Sequence, residues 1–222
     1  VCWGQRNDWS DTSGTTRSGE LLLGSSSPSI DGTIVDLGSP GDRIYSISMG
    51  ESHACAVVEN TIECWGVEES GSFGQAVSLT SAYATPVTIS SPSGLIARQV
   101  VIEHSTDSTC GVFEDSTGTS TVICWGEQTA VGYTASTPVT TLADLPVEDS
   151  NGNDLSLSEV SQSPYDITDI QSGERINCVL SRQGLIKCWG YGPHLGIGLA
   201  SGNIGDSNPV TEEMGEYLGY VE

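Results

Sequence analysis

The run Gly50-Glu51-Ser52-His53-Ala54-Cys55-Ala56-Val57-Val58-Glu59-Asn60-Thr61-Ile62-Glu63-Cys64-Trp65-Gly66 places two cysteines nine residues apart, with their midpoint between Glu59 and Asn60. That symmetry reads as a β-hairpin with a two-residue loop, Glu59-Asn60, closed by Val58 and Thr61, so that Cys55 faces Cys64. The cysteines lie three steps out from the closing pair. Opposed residues alternate between hydrogen-bonded and non-hydrogen-bonded sites. An odd step from a hydrogen-bonded closing pair lands on the close site, where Cα atoms approach to about 4.5 Å. A disulfide spans that gap. Val57 and Ile62 share the cysteine face, whereas Trp65 points to the opposite one.

The same arrangement occurs twice more. Cys110 and Cys124 are 14 residues apart around the loop Ser116-Thr117-Gly118, and Cys178 and Cys188 are 10 apart around Arg182-Gln183-Gly184. Both loops end in glycine, where a three-residue hairpin needs a left-handed residue. Here the cysteines lie five and three steps from the closing pair, again odd numbers, beside the aliphatic pairs Val112–Val122 and Leu180–Ile186. Cys-Trp-Gly itself appears four times, at Cys2-Trp3-Gly4, Cys64-Trp65-Gly66, Cys124-Trp125-Gly126 and Cys188-Trp189-Gly190, with spacings of 62, 60 and 64 residues. After each of the last three follow an apolar residue with glycine (Phe73-Gly74, Val131-Gly132, Leu195-Gly196) and then Pro-Val-Thr at Pro86, Pro138 and Pro209. Ordered landmarks at a fixed period are the mark of a repeat architecture.

Free thiols and a metal site are the alternatives for the paired cysteines. Spacings of 9, 14 and 10 fit no zinc ribbon, which needs two close pairs. Loop lengths that change while opposition is kept are what a disulfide requires, so three bonds are expected, Cys55–Cys64, Cys110–Cys124 and Cys178–Cys188. Each closes a short loop and contributes about 2–3 kcal/mol in the chain-entropy model. Disulfides imply an oxidising compartment, with an extracellular or cell-surface location expected. Cys2 lacks a preceding strand to supply its partner, and is expected to be unpaired or bonded to another molecule.

With 29 acidic and 7 basic residues the chain carries a net charge of −22. A phosphate backbone would be repelled, so no nucleic-acid partner is expected. No apolar run approaches the roughly 20 residues needed to cross a membrane as a helix, and no membrane span is expected. The chain opens at Val1 with neither an initiator methionine nor a signal peptide, as a processed or truncated product would.

Gly50-Glu51-Ser52-His53-Ala54-Cys55-Ala56 followed by Glu63-Cys64-Trp65-Gly66 resembles a repeat of the regulator of chromosome condensation family. The third unit keeps Gly173, Cys178, Gly184, Cys188-Trp189-Gly190 and Leu195-Gly196, with Ile176 at the histidine position. The second has Ser105 and Ser108 where the glycine and histidine stand, and His104 falls out of register. The doubled cysteine resembles a secreted, bacterial-type branch. The resemblance implies an all-β fold, a β-propeller-type array of antiparallel four-stranded blades in which sequence units are offset from blades. Its repeat core comprises Trp3, Trp65, Trp125 and Trp189 with Gly66, Gly126 and Gly190. About three and a half repeats are present, in one domain spanning 1–222 with units 1–62, 63–122, 123–186 and a partial 187–222. That is too few to close a usual propeller. Either the remainder lies in a longer chain, the preferred reading, or copies self-associate through unpaired β edges. The exchange-factor activity of nuclear members does not carry over, because acidity opposes chromatin and disulfides oppose the nucleus.

The chemistry-bearing residues are sparse. His53, His104 and His194 have no metal-like spacing and read as structural or surface residues. No nucleophile elbow, zinc-protease motif or phosphate loop occurs, so no enzyme activity is expected. Asp149, Asn151 and Asn153 alternate oxygen donors as a calcium loop does. Position six is Asp154 and position twelve Val160, so a polar turn in an inserted loop competes with calcium; no other cofactor is expected. Two functions fit these features. One is a non-enzymatic extracellular structural or adhesive protein, such as a surface-fibre or filament subunit. The other is a secreted binding module that grips an unknown partner protein through its loops.

Overall fold

The computed structural model describes residues 8–10, 16–18, 35–68, 71–74, 81–105, 107–127, 167–182, 184, 186–195 and 203–204. A short antiparallel pair, β1 (Asp8–Ser10) and β2 (Thr16–Ser18), precedes three larger sheets. The first joins β3 (Ile44–Met49), β4 (His53–Val58), β5 (Thr61–Glu68) and β6 (Ser81–Ile89) in that order. The second joins β7 (Ile96–Ile102), β8 (Ser108–Glu114) and β9 (Ser120–Gly126). In the third, β10 (Ile167–Gly173), β11 (Ile176–Ser181), β12 (Ile186–Tyr191) and β13 (Asn203–Ile204) follow one another. Every neighbouring pair is antiparallel and consecutive in sequence, the up-and-down order of propeller blades. The second blade shows three strands among the described residues. Blades are offset from the Cys-Trp-Gly period, because the motif falls on each blade's third strand.

The hairpin registers follow from the loops. Val58 pairs Thr61 around Glu59-Asn60, which puts Cys55 opposite Cys64. The Asp115 amide donates to the Thr119 carbonyl at 3.0 Å around the second loop, aligning Cys110 with Cys124. Leu180 pairs Ile186 in the third, aligning Cys178 with Cys188.

In the first two blades both faces are covered, not only the cysteine face. The disulfide face of the first blade (Cys55, Val57, Ile62, Cys64) forms one cluster with Val100, Ile102, Phe113, Ile123 and Trp125 of the second. The disulfide face of the second (Cys110, Val112, Val122, Cys124) does the same with Ile170, Val179 and Trp189 of the third. Trp65 of the first blade packs with Ala54, Ala56 and Val58 against Val35 and Leu37. Blades thus meet face to face through side chains. Within a blade, neighbouring strands are joined by backbone ladders.

Candidate functional site: the faces between blades

Each cysteine pair lies where two antiparallel strands bring Cα atoms to 4.1, 4.0 and 4.0 Å, and the sulfurs are joined as Cys55–Cys64, Cys110–Cys124 and Cys178–Cys188. A tryptophan one residue after the second cysteine must point to the opposite face. Trp65, Trp125 and Trp189 do so and are buried. Alternation within one strand therefore builds a two-sided unit, a disulfide with aliphatics on one side and an indole on the other. Stacking such units buries the indole of one against the sulfurs of the one before.

The glycine that follows each tryptophan has a steric cause. Gly66, Gly126 and Gly190 adopt φ of +110°, +101° and +122°. This kinks the strand so that the next amide bonds a carbonyl at the start of the hairpin: Val67 to Ser52 at 2.8 Å, Glu127 to Asp107 at 3.0 Å, Tyr191 to Arg175 at 2.8 Å. A Cβ at Gly126 would sit 2.1 Å from the Asp107 carbonyl oxygen. The motif is a backbone device as much as a packing one.

A buried polar chain crosses from the first blade to the second. His53 Nε2 lies 2.8 Å from Thr109 Oγ1, and Thr109 donates to the Ser72 carbonyl at 3.0 Å. With the threonine proton so placed, Nε2–H of His53 is the donor to Thr109. Trp125 Nε1 donates to the same Ser72 carbonyl at 2.8 Å, so both lone pairs of that oxygen are used. Ser52 donates to Asp107 Oδ1 at 2.6 Å, a second bridge between these blades. On the inner strands the Val100 and Ile102 amides donate to Ser46 and Ser48 at 3.3 and 2.9 Å. Between the second and third blades, Glu103 Oε1 accepts from the Arg175 amide at 2.7 Å and Gln99 donates to the Thr168 carbonyl at 3.1 Å.

Burial pushes the His53 imidazole down to about 3, so it is neutral at physiological pH. An imidazole that titrates normally when unfolded binds its proton more readily there than in the fold. Its contribution to stability is fully present above about pH 6.5 and is lost as pH falls towards 3. Wild-type protein is expected to lose about 2 kcal/mol of unfolding free energy to this group between pH 6.5 and 5. Urea titrations of wild type and His53→Gln, compared across that interval, measure it. The variant should show the shallower slope, and parallel slopes would refute the assignment.

Of the other residues singled out by sequence, His104 and His194 are exposed, and His194 Nδ1 lies 2.8 Å from the Glu174 carbonyl oxygen. Cys2, Trp3, Asp149, Asn151 and Asn153 lie outside the described residues. Among the described residues no three histidine, cysteine or acidic side chains are grouped to hold a metal ion, and no helix is long and apolar enough to cross a membrane. Sequence reasoning missed Thr109, Ser72, Ser46 and Ser48. For Ser46 and Ser48 the signal was available: two serines at period two on the cysteine face of an inner strand.

No protein-family model matches the chain, and no curated protein sequence matches it. Among solved structures it is similar to human WBSCR16, with a TM-score of 0.59 and 15% identity, covering 86% of this chain and 42% of that one. It is also similar to yeast RCC1 (Prp20) bound to Kap60, with a TM-score of 0.48, 16% identity and coverage of 79% and 36%. For Prp20p from Saccharomyces cerevisiae the values are 0.46, 18%, 79% and 37%. The chain thus spans less than half the length of each. These are RCC1-like β-propellers, and the likeness is one of fold.

Proposed function

We propose that this chain is a non-enzymatic extracellular structural repeat module, of a secreted bacterial type, that assembles blade to blade into larger structures at or beyond the cell surface. The observation that carries this reading is the apolar strand β3: Ile44, Tyr45, Ile47 and Met49 are each more than half exposed. Several large apolar side chains exposed on one strand of an otherwise highly acidic molecule mark a contact site. The joined cysteine pairs support an oxidising location, since such bonds persist outside the reducing cytosol. A surface charge of −22 supports solubility of the separate units and disfavours nucleic acid.

Sedimentation and negative-stain microscopy of the oxidised chain test the reading. Particles that grow with protein concentration are expected. A single chain that stays monomeric at about 100 μM, well above the Kd of a specific contact, would count against assembly. In that case a loop-mediated complex with a different protein becomes the better account.

A further inference from the structure

The turn between β10 and β11 is the two-residue loop Glu174-Arg175, closed by the pair Gly173 and Ile176. Arg175 adopts φ +59°, a left-handed conformation that glycine takes freely and a long side chain takes only against strain. Its backbone is held from two sides. The amide donates to Glu103 Oε1 of the second blade at 2.7 Å, and the carbonyl accepts from the Tyr191 amide at 2.8 Å. Glu103 is buried, so the first anchor is fixed. The second exists because Gly190 kinks β12 at φ +122°. The Arg175 side chain then lies with Cζ 5.7 Å from the centre of the Tyr191 ring. One turn of 3-10 helix, Gly192–His194, follows and brings the His194 ring to 5.0 Å from Tyr191 at an interplanar angle of 84°. His194 Nδ1 faces the Glu174 carbonyl at 2.8 Å. A carbonyl only accepts, so Nδ1 carries the proton and Nε2 of the neutral ring is a bare acceptor.

Arg175 and His194 are exposed, and Tyr191 between them is half-buried. Arg98 spends its guanidinium on Glu114 at 2.9 and 3.1 Å. Among the described residues the Arg175 guanidinium has only the Tyr191 ring against it, and its N–H donors are left for a ligand. The same kink bond defines the equivalent positions elsewhere: Ser52 with Val67 in the first blade, Asp107 with Glu127 in the second. Neither pair offers a cation or an aromatic ring. We propose that Arg175, Tyr191 and His194 form a binding site for a hydroxy-carboxylate, the chemistry of a uronic acid. The carboxylate pairs with the Arg175 guanidinium, and a neighbouring ligand hydroxyl donates to His194 Nε2. Tyr191 holds the two side chains on either side of it. An arginine kept where φ favours glycine is then explained, because the strain is tolerated for the side chain it presents. The net charge of −22 opposes an anion at a distance, but salt screens it beyond about 8 Å. At contact the guanidinium decides. The site does not depend on the assembly reading above.

Titration of the full oxidised, isotopically labelled chain with glucuronate, followed by NMR, tests this. Shifts centred on the Arg175 amide and the His194 ring are expected, with a Kd on the order of 1 mM. Glucose, which lacks the carboxylate, should leave those signals in place. Arg175→Gly should weaken glucuronate binding at least about tenfold, the loss of one charge-assisted pair. Its urea midpoint should stay equal or rise, because glycine relieves the left-handed φ. Arg43→Gln removes the same charge from another exposed position and should leave binding unchanged. His194→Phe keeps a ring beside Tyr191 but loses the acceptor. It should weaken glucuronate about fivefold and leave acetate, which has no hydroxyl, unaffected. A uronate tetrasaccharide that binds more tightly than the monosaccharide marks a polymer as the source, and equal affinity marks the free acid; either supports the site. Equal weakening by Arg175→Gly and Arg43→Gln would reduce the effect to general charge and overturn the proposal. Glucose shifts as large as those of glucuronate, or no shifts with about 20 mM glucuronate, would overturn it as well.

Discussion

Replacing Trp125 with alanine is expected to destabilise the fold by about 3–5 kcal/mol, the usual range for truncating a buried indole. Trp125 is fully buried in a cluster that holds Cys55, Cys64, Val57 and Ile62 of the preceding blade, so the cavity opens between two blades and not within one. Neighbouring strands are tied by ladders and a disulfide, which limits how far the cavity can collapse. Part of the loss comes from the Nε1–H bond to the Ser72 carbonyl. Trp125→Phe separates the two contributions: it keeps most of the bulk, drops the donor, and should cost about 1–2 kcal/mol. Urea midpoints at constant m-value give both numbers. A loss below about 1 kcal/mol for the alanine variant would mean that the blades are not packed through this indole.

Gly126→Ala is expected to destabilise by about 3 kcal/mol or more, because two penalties coincide. The backbone sits at φ +101°, which an L side chain rarely adopts. Its new methyl would also meet the Asp107 carbonyl oxygen at 2.1 Å and the Ser108 Cα at 2.9 Å, both backbone atoms of the partner strand. Gly118→Ala is the control. Its φ is +86° but nothing lies within 4 Å of the added carbon, so only the conformational penalty of about 1 kcal/mol remains. Thermal or urea unfolding of the two variants should separate them by about 2 kcal/mol. Equal losses would show that the close approach of strand ends is not part of the Cys-Trp-Gly motif.

The hairpins were legible in the sequence because loop and register are local. The midpoint between Cys55 and Cys64 dictates the loop, and the loop dictates which residues oppose. The opposite facing of Trp65 and its counterparts followed from strand alternation alone. What alternation could not show is the partner of each face. Nothing between residues 64 and 125 states that Trp125 will lie on the Cys55–Cys64 bond, because that contact belongs to the way blades stack. The His53–Thr109–Ser72 chain was hidden for the same reason: its members are 56 and 37 residues apart, and Ser72 contributes only a backbone carbonyl. The exposed Ile47 was equally invisible, since its sequence matches that of strands whose counterparts are buried. Only comparison of equivalent positions in three dimensions separates Ile47 from Val100.

Both the stacking and the compartment depend on the cysteine pairs being bonded within their own hairpins. The direct measurement is intact mass of the native chain alkylated without reduction, followed by peptide mapping. Three bonds within hairpins predict a mass six hydrogens below the fully reduced chain for these residues, with Cys55 linked to Cys64, Cys110 to Cys124 and Cys178 to Cys188. Alkylation of any of the six, or a link between cysteines of different hairpins, would contradict the account.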